Sequence, residues 1–144
     1  MSTIDPYKAG MFSKNPYAAK KDIEGELVVI LDGMIENRGL RLISPISRCI
    51  KKNEIHELIL TDEKDAGPGS RVDKIAYLGF MEVTQGSVLV AGDKVFLRNK
   101  YVGEIAGFDE THMPNHLNIV LKTDSRATGV ELKVELGDKL IIHK

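Results

Sequence analysis

Apolar residues come along this chain in short runs, nearly all closed by a Gly, Asp or Asn turn. Glu26-Leu27-Val28-Val29-Ile30-Leu31 is the first, a β-branched run ended by Asp32-Gly33. Residues 34–43 follow, broken at Asn37-Arg38-Gly39. The runs at 56–61, 74–83, 87–90, 94–98, 101–106, 117–123, 130–134 and 139–142 each read as a strand. Gly79, inside the 74–83 run, predicts a β-bulge. Only one segment has helical spacing. Ser44-Pro45 has the form of an N-cap and first turn, and Ile46, Cys49 and Ile50 recur at helical intervals, which predicts a short helix over about 45–52. Residues 62–70, with Gly67-Pro68-Gly69, read as an exposed loop. The pattern as a whole predicts a mainly β fold, a small closed or partly open β-barrel with one short helix. Residues 26–144 form the barrel domain in this reading, and residues 1–25 an N-terminal arm with Tyr7, Phe12 and Tyr17 as hydrophobic anchors.

One turn recurs. Ala91-Gly92-Asp93-Lys94-Val95-Phe96-Leu97 is echoed by Leu136-Gly137-Asp138-Lys139-Leu140-Ile141-Ile142. Glycine supplies a backbone conformation closed to other residues, and Asp can accept backbone N–H bonds to hold the turn. An apolar strand then enters the core in both copies.

Composition narrows the partners. The 144 residues carry 20 basic and 21 acidic side chains, a formal charge of -1, without a long block of either sign. With no Trp, four Tyr and four Phe, stacking platforms are scarce too, so a nucleic-acid partner is not expected. No apolar run approaches a membrane span, and none is expected to enter a membrane. Cys49 is the only cysteine, which reads as a small buried hydrophobe and fits a reducing, cytoplasmic setting.

The chemistry concentrates between Gly107 and Asn118, which holds Asp109, Glu110, His112, Asn115, His116 and Asn118. His112 and His116, with Asp109 or Glu110, make an N,N,O set suited to a divalent metal, the one cofactor the residues suggest. Histidines at this spacing share a face on a helix, and Pro114 between them works against one. The competing reading is a structured loop, its Asn and Asp side chains bonded to its own backbone and Met113 and Leu117 pinning it to the core. Arg71, after the Pro-Gly loop, is a further candidate for an anionic ligand. His56 and His143 read as surface residues.

From Leu58-Ile59-Leu60-Thr61 through Gly92-Asp93 and Val102-Gly103-Glu104-Ile105-Ala106-Gly107 to Gly137-Asp138-Lys139-Leu140-Ile141-Ile142, the order of elements resembles the glucitol/sorbitol-specific IIA component of the bacterial sugar phosphotransferase system, a small β-barrel. The resemblance covers roughly residues 49–142. It implies a phosphate-accepting histidine in the strand running from Ile75 to Met81, where this chain has Leu78-Gly79-Phe80 and no histidine. The resemblance therefore implies the fold without phosphotransfer. Residues 107–118 also resemble part of a little-studied prokaryotic family of similar length. The sequence favours a non-catalytic ligand-binding or regulatory barrel, taking a small molecule. A small metal-assisted enzyme using the Asp109 to His116 loop is one alternative. A self-associating interaction subunit, a homo-oligomer formed through the arm or the sheet edges, is the other.

Overall fold

Residues 20–144 are described by the computed structural model. Among them the chain forms twelve strands: β1 (Ile23–Ile30), β2 (Met34–Ile35), β3 (Leu40–Arg41), β4 (Ser47–Ile50), β5 (Ile55–Thr61), β6 (Arg71–Val72), β7 (Ile75–Gln85), β8 (Ser87–Val90), β9 (Lys94–Leu97), β10 (Lys100–Asp109), β11 (Asn118–Lys122) and β12 (Lys139–His143). Eight of them make one sheet in the order β1-β12-β9-β10-β11-β5-β7-β2, and β1 makes a second pairing with β7. All these neighbours are antiparallel except β11 and β5, which run parallel. β3 with β6 and β4 with β8 form separate two-stranded sheets.

Strand alternation divides the side chains between two cores. On one face, Leu58 and Leu60 of β5, Leu78 and Met81 of β7, Ile119 and Leu121 of β11 and Phe108 of β10 join the larger cluster. On the other face, Ile59, Ile75, Ala106 and Val120 pack with Leu40, Leu42, Ala66 and Val72, carried by β3, β6 and the loops beside them. A strand buried on both faces loses its polar alternation, which is why β5 and β11 read as nearly continuous apolar runs. Glu57 sits two residues before Ile59 and so shares its face.

The repeated turns have the same geometry. Gly92 and Gly137 both take positive φ, 95° and 87°. Asp93 Oδ2 accepts the Val90 N–H at 2.9 Å, and Asp138 Oδ2 accepts the Glu135 N–H at 2.7 Å. Each turn also grips a strand with two backbone bonds. Gly92 N–H reaches Ile105 O while Ile105 N–H reaches Asp93 O, and Gly137 and Asp138 hold Leu27 in the same way. Asp93 is buried and pairs with Lys20 at 2.8 Å.

Several expectations are corrected. The described residues contain no helix. Within the segment 45–52, Ser47–Ile50 instead form β4, paired with β8 from Ser47↔Val90 to Ile50↔Ser87. Of its three apolar residues at helical spacing only Ile50 is buried; Ile46 and Cys49 are exposed, so no helical face existed to bury. Cys49 is therefore not the buried hydrophobe expected. The small barrel with one helix gives way to a mixed eight-stranded sheet, ended by β2 and accompanied by two separate two-stranded sheets. The strand expected at 130–134 is a run of turns. Thr128 and Glu131 exchange bonds there, each side chain accepting the other's backbone N–H at 3.1 and 2.9 Å. The expected arm, residues 1–25, lies mostly outside the described residues, and its last three belong to β1.

Candidate functional site

Register brings the polar groups together. Phe80 of β7 stands opposite Glu57 of β5, Glu57 opposite Asn118 of β11, and Asn118 opposite Asp109 at the end of β10. One row across four strands thus carries a ring, a carboxylate, an amide and a second carboxylate on a single face. Asp109, read as a loop residue from the sequence, and Asn118 are the strand ends that flank the loop.

The segment between them folds back over the row. Asn115 N–H and His116 N–H both reach the His112 carbonyl, at 2.9 and 3.3 Å. One turn of this kind puts the two imidazoles on the same side without a helix. Their rings stack at 5.0 Å between centroids and 29° between planes, and His116 meets Phe80 edge-on, also at 5.0 Å. Leu117 locks the end of the segment to β5: its carbonyl accepts the Glu57 N–H at 3.0 Å. Its N–H donates to His56 Nδ1, also at 3.0 Å. His56 is accordingly buried, not a surface residue, and its role is to hold the backbone.

His116 is the centre of the cluster. Its Nδ1 lies 2.9 Å from the Asn115 side-chain nitrogen, so Nδ1 accepts and the ring proton sits on Nε2. Nε2 is 3.3 Å from Glu57 Oε1. The N–H is not aligned with that contact, and Nε2 remains buried without a hydrogen-bond partner, as does Asn118 Oδ1. The two groups lie close enough for the Asn118 amide to act on the His116 ring, but neither atom has an aligned hydrogen bond, which is unusual for buried polar atoms. Burial pushes the Glu57 carboxyl above its ordinary range, against the pull of His112 and Arg38. Burial, then the neighbouring His112, hold His116 below its ordinary value, with Asn118 working the other way. The environment thus brings an acid and a base toward each other in pKa. Beside them opens a cleft of about 360 Å³ lined by Asn53, Ile55, Phe80, Asn115 and His116.

The other candidates are already engaged. Asp109 is 2% exposed and saturated: its carboxylate accepts from Arg41 N, Thr111 N and Asn118 Nδ2 at 3.0, 2.9 and 3.1 Å. Glu110 pairs with Arg48. Arg71 pairs with Asp73 at 3.1 Å on the exposed side of β6. The N,N,O set is therefore not assembled, and no group of three metal-ligating side chains occurs among the described residues. A larger cavity of about 430 Å³, between Asp62, Tyr101 and Lys122, lacks any buried acid–base pair. Glu57 and Phe80 were missed in the sequence. The available signal was a carboxylate in the same-face series Glu57, Ile59, Thr61 of an otherwise apolar strand.

No helix among the described residues is long and apolar enough to cross a membrane. No curated protein and no solved structure matches the chain. The resemblance to the phosphotransferase component is overturned by the family model that matches. The non-catalytic reading built on that resemblance falls with it. Nothing found supports the expected homo-oligomer either. Residues 17–143 match a family of unknown function (DUF6917), and the chain belongs to that family.

Proposed function

We propose that this protein is a small acid–base enzyme in which Glu57 and His116 move a proton on a molecule held in the adjoining cleft. The observation that carries the reading is the buried Glu57–His116 contact, 3.3 Å long, at the wall of an open cleft. Perturbed titratable pairs in clefts are where proton chemistry is done. Glu57 Oε1, 3.3 Å from Nε2, stabilises the imidazolium by charge once it forms. Nδ1, on the Asn115 side, is the atom that takes the proton. Asn115 is exposed, and a ligand N–H or O–H can replace its amide at Nδ1. Burial, helped by His112 stacked on the ring, holds His116 below its ordinary value, which suits it to act as a base.

Hydrolysis of p-nitrophenyl acetate, an activated ester open to any basic imidazole, tests this reading. His116→Ala is expected to lower the rate about tenfold, and Glu57→Gln to lower it in the same direction. His112→Ala should leave most of it. A rate indifferent to His116 contradicts the proposal.

A further inference from the structure

We infer that His56 is a positioning residue for the Glu57–His116 pair, acting through the Leu117 N–H, and that Glu54 fixes the tautomer His56 needs for this. This rests on the acid–base reading above and adds what holds its base in place.

Alternation along β5 puts Glu57 on one face and His56 on the other. The end of the loop divides in the same way. Leu117 belongs to the larger core, while His116 lies against Glu57. The parallel register between β11 and β5 begins at Asn118↔Glu57, so the Leu117 N–H stands just before it. A side chain serves as its acceptor there, His56 Nδ1 at 3.0 Å, and the bond is buried. This N–H belongs to the His116–Leu117 peptide, so holding it orients His116 directly. The ring needs such a hold. It rests against Glu57 through a 3.3 Å contact with no aligned hydrogen bond, and its place over the carboxylate is set from the backbone. A Leu117 N–H with no acceptor would have to move to find one, and His116 would move with it.

Only one form of His56 can do this. A backbone N–H always donates, so Nδ1 accepts and the ring proton sits on Nε2. Glu54 calls for the same arrangement from the other side of the ring. Its Oε1 lies 3.3 Å from Nε2, and a carboxylate only accepts. The same oxygen accepts the Lys51 N–H at 2.7 Å. The Lys51 bond, helped by His56, outweighs burial and holds the Glu54 carboxyl below its ordinary value. Met81, opposite His56 on β7, brings no charge to the ring. The parts therefore act in series: Glu54 sets the His56 ring, the ring holds the Leu117 N–H, and that peptide places His116.

Two substitutions separate the acceptor from the bulk of the ring. His56→Asn keeps a side-chain oxygen near the place of Nδ1, and His56→Leu fills the space without an acceptor. The His116 titration midpoint, followed by NMR, should stay low in His56→Asn. It should rise toward that of an ordinary histidine in His56→Leu, as the ring leaves its buried place. Hydrolysis of p-nitrophenyl acetate should fall in His56→Leu to near the rate of His116→Ala, and no further in the double variant. In the unaltered protein, proton–nitrogen correlation of the rings should place the His56 proton on Nε2. A proton on Nδ1 overturns the inference whether or not either variant folds. A folded His56→Leu protein with an unmoved His116 midpoint overturns it too. If the ester rate ignores His116 while its midpoint follows His56, the acid–base reading fails and the placement of His116 by His56 stands.

Discussion

Replacing Gly79 by alanine is expected to cost about 3 kcal/mol or more of folding stability, enough to empty the native state of a marginal domain. A Cβ at Gly79 would stand inside the Val29 carbonyl oxygen, with the carbonyl carbon behind it. Both obstacles are backbone, so no side-chain rotation relieves the clash. β1 would have to leave β7 where Val29 faces Phe80 and Ile30 faces Gly79, and Phe80 would move with it. Gly92→Ala provides the contrast. That position has φ 95°, but nothing lies within 4 Å of a Cβ there. Only backbone strain opposes the methyl, about 1–2 kcal/mol. Urea unfolding of the two variants should therefore give a much lower midpoint for Gly79→Ala. Equal midpoints would show that β1 and β7 are not as close as described.

Asp109→Ala is expected to destabilise the protein by about 2–4 kcal/mol, because truncation leaves buried donors with nothing to bond. Arg41 N and Thr111 N are backbone groups fixed by the fold, and Asn118 Nδ2 is held in the cross-strand row. Its acid dependence follows from the same bonds. Burial works to raise the Asp109 pKa, but the bonds from Thr111, Arg41 and Asn118 together outweigh it, and the carboxyl is held below its ordinary value. A group lower in the folded state than in the unfolded chain stabilises fully above its unfolded value, about pH 4. The contribution is lost as the pH falls through the folded value. Asp109→Asn should remove this part of the acid sensitivity. Unfolding free energies of the two proteins should differ most at neutral pH and draw together in acid. A difference that stays constant from pH 7 to pH 2 would contradict the assignment.

Much of the strand pattern was legible because local chemistry wrote it. β8 runs over Ser87–Val90 as its flanking turns imply, and the register of the long strand slips at Leu78, one residue before the Gly79 expected to mark a bulge. The Gly-Asp repeat was legible for the same reason, since its bonds close within four residues. The segment 45–52 misled because helical spacing of Ile46, Cys49 and Ile50 says nothing about which of them a partner strand will bury. Thr128 and Glu131 carried a capping-box spacing in an apolar run that looked like a strand. The candidate site was half legible. His112, Asn115, His116 and Asn118 do come together, but the order of strands decides with what. Glu57 lies about sixty residues earlier and meets His116 only because β5 runs parallel beside β11. No local spacing encodes that neighbour. Asp109 and Glu110 looked interchangeable as ligands, yet one faces the buried row and the other turns outward to Arg48.

The central claim is that Glu57 and His116 act as one acid–base unit, and the ring signals of His116 followed by NMR from pH 4 to pH 9 test it most directly. The account predicts an Nε2–H tautomer at high pH and a midpoint below that of an ordinary histidine. Glu57→Gln should lower the midpoint further, because it removes the carboxylate that favours the imidazolium. An ordinary midpoint that Glu57→Gln leaves unchanged, or a proton on Nδ1, would contradict it.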